Sequence, residues 1–132
     1  MPRYRKTQLD AIDVAVATHV MKWHLEERLA DGNPRPSAEW PAHSWWINEQ
    51  GSPKVCGWRP TRQPDQALEV LSYIEGLFVV NDCVDDDMQF IAGRAGLAPD
   101  QIDLDGAVRA PTAALAICLA ALRAFGVEVP GG

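Results

Sequence analysis

The chain reads as a soluble, single-domain α+β protein, and three patterns predict it. Apolar residues recur at threes and fours near the N-terminus, which is helical spacing. Two pairs of short β-rich runs follow, each bounded by turn formers. A final stretch is almost wholly alanine and leucine, as a buried helix would be. A length of 132 residues fits one domain, 1–132. Hydrophobic content of 47% and charged content of 23% are those of an ordered globular chain.

Leu9, Ile12, Val16, Val20 and Trp23 set the first helix, expected over about 7–30. Thr7 is placed to cap it, and Asp31-Gly32-Asn33-Pro34 to stop it. Residues 31–44 carry three prolines and a glycine and form an irregular connection. A hairpin over about 45–58 pairs Trp45–Asn48 with Lys54–Trp58 around the turn formers Gly51-Ser52-Pro53. The second helix, about 65–76, opens at Asp65 and turns Ala67, Leu68, Leu71 and Ile74 inward, with Gly76 as its stop. A second hairpin spans about 77–93, its two β-rich arms flanking the acidic stretch from Asn81 to Asp87. The last helix, about 112–125, is capped by Thr112.

Several chemistries find no support. No apolar run approaches the ~18 residues of a membrane span. The basic start MPRYRKTQLD is not followed by an apolar signal segment, so a cytoplasmic place is expected. Cys56, Cys83 and Cys118 are odd in number and widely spaced, which suits reduced thiols. His19, His24 and His43 lack the convergent spacing of a zinc site. Ser44 beside His43 lacks a nucleophile elbow, and Gly93-Arg94-Ala95-Gly96 is too short for a phosphate loop. No catalytic residue, metal or cofactor is expected.

Charge is more informative. Up to residue 62 there are nine Lys and Arg against seven Asp and Glu, a net of +2; from 63 onward three Arg face eleven acids, a net of −8. VVNDCVDDDMQF, from Val79, concentrates Asp82, Asp85, Asp86 and Asp87, with Asp100, Asp103 and Asp105 flanking in sequence. The stretch lacks the glycine and closing glutamate of a calcium loop. Adjacent aspartates on a turn splay into water, so a solvated turn competes with an acidic partner-binding tip. A second candidate is aromatic: Trp40, Trp46 and Trp58 with Arg59 and Arg62 could line a ligand groove. Its rival is core packing, with Trp45 and Trp46 facing opposite sides of one strand. An exposed Trp46, or the apolar last helix, could alternatively serve a dimer.

Three segments together resemble the phage ABA sandwich domain family. They are LDAIDVAVATHVMKW from Leu9, GWRPTRQPDQALEVLSYIE from Gly57 and TAALAICLAAL from Thr112, in the family's order. The chain departs from the family pattern where Lys22 replaces a glycine before the tryptophan, Ala114 a proline and Leu119 an arginine. The resemblance implies an α-β-α sandwich, with three main helices packed around a small antiparallel sheet. It also implies a phage or prophage gene, hence a bacterial host, and it transfers no active site. With the charge pattern, the expectation is a non-enzymatic accessory protein, anti-CRISPR-like. It would block a basic surface of a host nucleic-acid-guided complex through the seven aspartates, without contacting nucleic acid or membrane. The alternatives are a nucleotide or small-molecule binder using residues 40–62, or a minor virion or assembly protein.

Overall fold

The computed structural model describes residues 4–81, 90–94 and 107–128. Helix α1 spans Lys6–Ala15 and runs into a π-helical turn, Val16–Val20. Its first turn is closed by Gln8, whose Oε1 accepts from the Arg5 backbone N–H at 2.9 Å, so Thr7 lies inside the helix rather than at its cap. Three strands follow, β1 (His24–Arg28), β2 (His43–Ile47) and β3 (Pro53–Val55). Helix α2 is Pro64–Tyr73, strands β4, β5 and β6 are Leu77–Asn81, Phe90–Arg94 and Val108–Ala110, and helix α3 is Ala113–Ala124.

The strands make two separate antiparallel sheets of three, ordered β1-β2-β3 and β4-β5-β6. That overturns the expectation of three helices around one small sheet. The extra strands are β1, which takes residues expected to be helical, and β6, whose three residues carry too little pattern to read. α3 packs on β4, β5 and β6 and also meets α2, the π-helical turn and α1. Every residue from Ala114 to Leu122 is buried. Thr112 caps it, its Oγ1 accepting from the Leu115 N–H at 3.2 Å. At the other end Gly126 takes φ +69°, and the Val127 N–H reaches back to the Leu122 carbonyl at 2.9 Å.

The first helix stops ten residues short of its expected end because the backbone turns at Lys22. Lys22 sits at φ +60°, a backbone conformation that glycine adopts far more readily than a residue with a Cβ. The Trp23 N–H donates to the Ala17 carbonyl at 2.9 Å, closing the widened π-helical end. Beyond it, HLEERLA has good helix propensity, but pairing with β2 overrides it. Gly32 (φ +88°) then lets the connection press on Pro53; a Cβ there would sit 3.0 Å from the Pro53 ring. In α2 the buried residues are Ala67 and Val70, with Ile74 buried just past its end, whereas Leu68, expected inward, is 58% exposed.

Because α3 is walled on both sides, its alanines set the spacing of the layers. Ala116 is fully buried. Ala116→Leu should therefore lower stability by about 1–3 kcal/mol through overpacking. Urea unfolding measures this directly; an unchanged midpoint would show that the layers have slack at this point.

Candidate functional site

The most developed polar constellation joins α1 to the turn before α2. Asp10 and Asp13 are three apart and so share one face of α1. The turn is shaped locally: Arg62 and Gln63 both donate backbone N–H groups to the Arg59 carbonyl, at 3.0 and 2.8 Å. Gln66 on α2 braces it, its Oε1 accepting from the Arg59 N–H at 2.6 Å and its Nε2 donating to the Gly57 carbonyl at 2.7 Å. The turn then delivers the Thr61 N–H to Asp13 Oδ1 at 2.9 Å. Arg62 Nη2 donates to Asp13 Oδ2 at 2.7 Å and to Asp10 Oδ1 at 2.6 Å. Asp13 is only 3% exposed, so its charge depends on these donors.

The electrostatics follow from that geometry. Burial works to lower the Arg62 pKa, but its hydrogen bonds to Asp13 and Asp10 outweigh it and leave the guanidinium above its ordinary value. The Arg62 hydrogen bond holds the Asp10 carboxyl below the usual aspartate range. Nearby, burial pushes the Cys118 thiol far up, with the Asp13 charge adding to the effect, so Cys118 stays a neutral apolar filler. Trp58 packs edge-on against Trp23, ring centroids 4.8 Å apart at 67°. The constellation is a structural clamp: both carboxylates are already answered by Arg62. Its sequence signal was Asp13, a charged residue on the apolar side of a helix next to Ile12.

The aromatic candidates do not come together. Trp46 and Trp58 are core residues, Trp40 is half exposed, Arg59 is exposed, and Arg62 is held by the two aspartates. Trp45, on the other side of β2 from Trp46, is partly buried and donates its Nε1–H to the Leu29 carbonyl at 3.0 Å. Since Trp46 and α3 are both buried within the chain, neither offers a surface to a second copy.

Open clefts lie elsewhere among the described residues. One, of about 480 Å³, runs between β1 and residues 34–38; its charges are matched, Arg28 to Glu26 at 2.6 Å and Arg35 to Glu27 at 3.5 Å. Another, of about 280 Å³, lies between Lys22, the β2–β3 turn and Tyr73 of α2. Neither is lined by Trp40, Trp46, Trp58, Arg59 or Arg62.

Asp82, Asp85, Asp86, Asp87, Asp100, Asp103 and Asp105 lie outside the described residues, as does Cys83. Among the described residues no group of three His, Cys, Asp or Glu is placed to hold a metal ion, and no helix is long and apolar enough to cross a membrane. A family model described as the phage ABA sandwich domain matches residues 14–122. No curated protein and no solved structure matches the chain.

Two outcomes test the clamp. Arg62→Ala strands the buried Asp13 and should cost about 3 kcal/mol. The Asp13→Ala/Arg62→Ala double variant should lose less than the sum of the single changes. Strict additivity in urea unfolding would deny the coupling. The second outcome is acid sensitivity. Hydrogen bonds from Arg62, Arg28 and the Asn33 backbone lower the carboxyl pKa values of Asp10, Glu26 and Asp31 respectively. Groups depressed on folding add stability above their unfolded pKa values and lose it as pH falls through the folded ones. The melting temperature should thus hold level from about pH 8 to 5 and drop below about pH 4. Asp10→Asn should flatten part of that drop.

Proposed function

As the chain belongs to the phage ABA sandwich domain family, we propose that it is a non-enzymatic accessory protein of a phage or prophage that binds a host protein complex. Within that reading it is an acidic counter-defence protein, working in the bacterial cytoplasm. It covers a basic surface with which a nucleic-acid-guided complex holds its nucleic acid. The observation that carries the proposal is the charge asymmetry, −8 over residues 63–132 against +2 before them.

The ion pairs support it. In the first half Asp10, Asp13, Glu26 and Glu27 are answered within the chain by Arg62, Arg28 and Arg35. In the second half Arg94 directs its Nε–H to the Glu75 backbone carbonyl at 3.1 Å. Three arginines cannot neutralise eleven acids in any arrangement. The excess charge creates a field that attracts a basic surface, speeds encounter and weakens with salt. Carboxylates closely spaced along a chain can take the place of phosphates on such a surface. The Trp40–Arg62 segment, by contrast, buries Trp46 and Trp58 in the core.

The test is capture of the tagged protein from bacterial lysate at low and high salt, read by mass spectrometry, with Asp85, Asp86 and Asp87 changed to Lys in parallel. A nucleic-acid-handling complex should be retained at low salt, released at high salt and lost in the charge-reversed variant. Retention by that variant would eliminate the acidic stretch as the contact.

A further inference from the structure

Residues 24–30, HLEERLA, are made of helix formers and hold none of the aromatic or β-branched residues that favour strands. They nonetheless begin with β1, an edge strand whose first four residues are exposed. Two irregularities precede it. The helix end is widened into a π-helical turn, and Lys22 takes φ +60°, the one non-glycine residue with positive φ among the described residues. Such a backbone is unfavourable for any side chain with a Cβ. The Lys22 ammonium, 5.8 Å from the Phe125 ring centroid, offsets part of that cost.

What holds β1 in place is polar. Arg28 donates from Nε to Glu26 at 2.6 Å, from Nη1 to the Gly32 carbonyl at 3.1 Å and from Nη2 to the Gly51 carbonyl at 3.2 Å. It thereby ties the strand to both neighbouring turns. The Trp45 indole holds Leu29, and the ladder to β2 completes the set.

The alternative costs little apolar burial. If α1 continued through Lys22, Trp23 would fall seven residues after Val16 and three after Val20, on the helix face those residues already bury. Leu25, at 55% exposure, has no core place to lose. Lys22 and Glu26 would become an i, i+4 pair of opposite charge. We infer that residues 21–30 form a helix–strand switch latched by Arg28: in one state β1 pairs with β2, and in the other the segment extends α1 and leaves β2 with an open backbone edge. The strain at Lys22 belongs to the strand state alone and is relieved in the helical state.

Backbone NMR of the full chain tests the switch through the Cα shifts of residues 21–30. Arg28→Ala should move them toward helical values, with a matching gain of helix in circular dichroism. Adding Lys22→Gly removes the strain and weakens the longer helix, so the double variant should return toward strand values. A folded Arg28→Ala protein whose residues 24–28 stay extended or become coil-like overturns the inference. Should Arg28→Ala fail to fold, chemical-exchange saturation transfer on the unmodified protein decides. A minor state with helical shifts at 24–28, depleted in Lys22→Gly, supports the switch; a minor state without them, or none, overturns it.

Discussion

Everything else in the structure depends on α3 having no exposed face over nine consecutive residues, Ala114–Leu122. A helix of that kind has no stable place alone in water and must be enclosed. The β4-β5-β6 sheet encloses it on one side, and α2, the π-helical turn and α1 meet it elsewhere. Fully burying one Leu or Ile stabilises by about 1.5–3 kcal/mol. Leu115, Ile117, Leu119 and Leu122 together therefore rival the net stability of a whole domain, about 5–15 kcal/mol. The alanines between them matter for the opposite reason. They add little burial of their own but let a sheet and helices approach the same helix closely.

The β1-β2-β3 sheet is held by a different balance. Its strands are mostly exposed: β1 buries none of its first four residues, and β2 buries only Trp46 and Ile47. Among the described residues no helix packs broadly on it, so bulk comes from individual side chains, and Trp46 joins the core cluster alongside the Trp23–Trp58 pair. That explains the tryptophan density better than a ligand groove does. Polar ties supply the positioning that apolar burial cannot. Arg28 spans two turns of the sheet, and Arg62 with Thr61 fixes the chain leaving it to Asp10 and Asp13 on α1. A buried Asp13 is tolerable only because its donors come from a turn that Gln66 braces independently.

This contrast decides what was legible in the sequence. α3 could be read because Thr112, its apolar run and Phe125-Gly126 give the same answer at the level of cap, burial and stop. β4 and β5 were legible as a hairpin from β-rich arms around turn formers, and their register, Leu77 opposite Arg94 through Asn81 opposite Phe90, is that of a hairpin. α2 could be placed, but Leu68 is not on its inward face, because Val70, three residues on, and not Leu68 shares the buried face of Ala67. The role of Arg62 was hidden for a plainer reason. Its partners are about fifty positions away, and no local pattern reveals a long-range ion pair. The seven aspartates could be counted and their clustering seen, while the surface they make depends on placement that spacing does not give.

The failure at β1 is of another kind, because there the local evidence was sound and lost to tertiary contacts. Helix periodicity through Trp23 and helix propensity through Ala30 agree with each other, and beyond Val20 both disagree with the fold. Chains that fold to one state usually keep local and global preferences consistent, and a conflict tends to mark a strained or functional place. Here the conflict coincides with a backbone irregularity at Lys22, a positive φ on a residue with a Cβ. Glycine would make the break free of strain and the strand state the uncontested one. With lysine the break persists only while Arg28, Leu29 and the β2 ladder hold the strand. Lysine rather than glycine at this position thus weakens one conformation and strengthens its rival, which is the condition under which a single sequence can keep two structures within reach of each other.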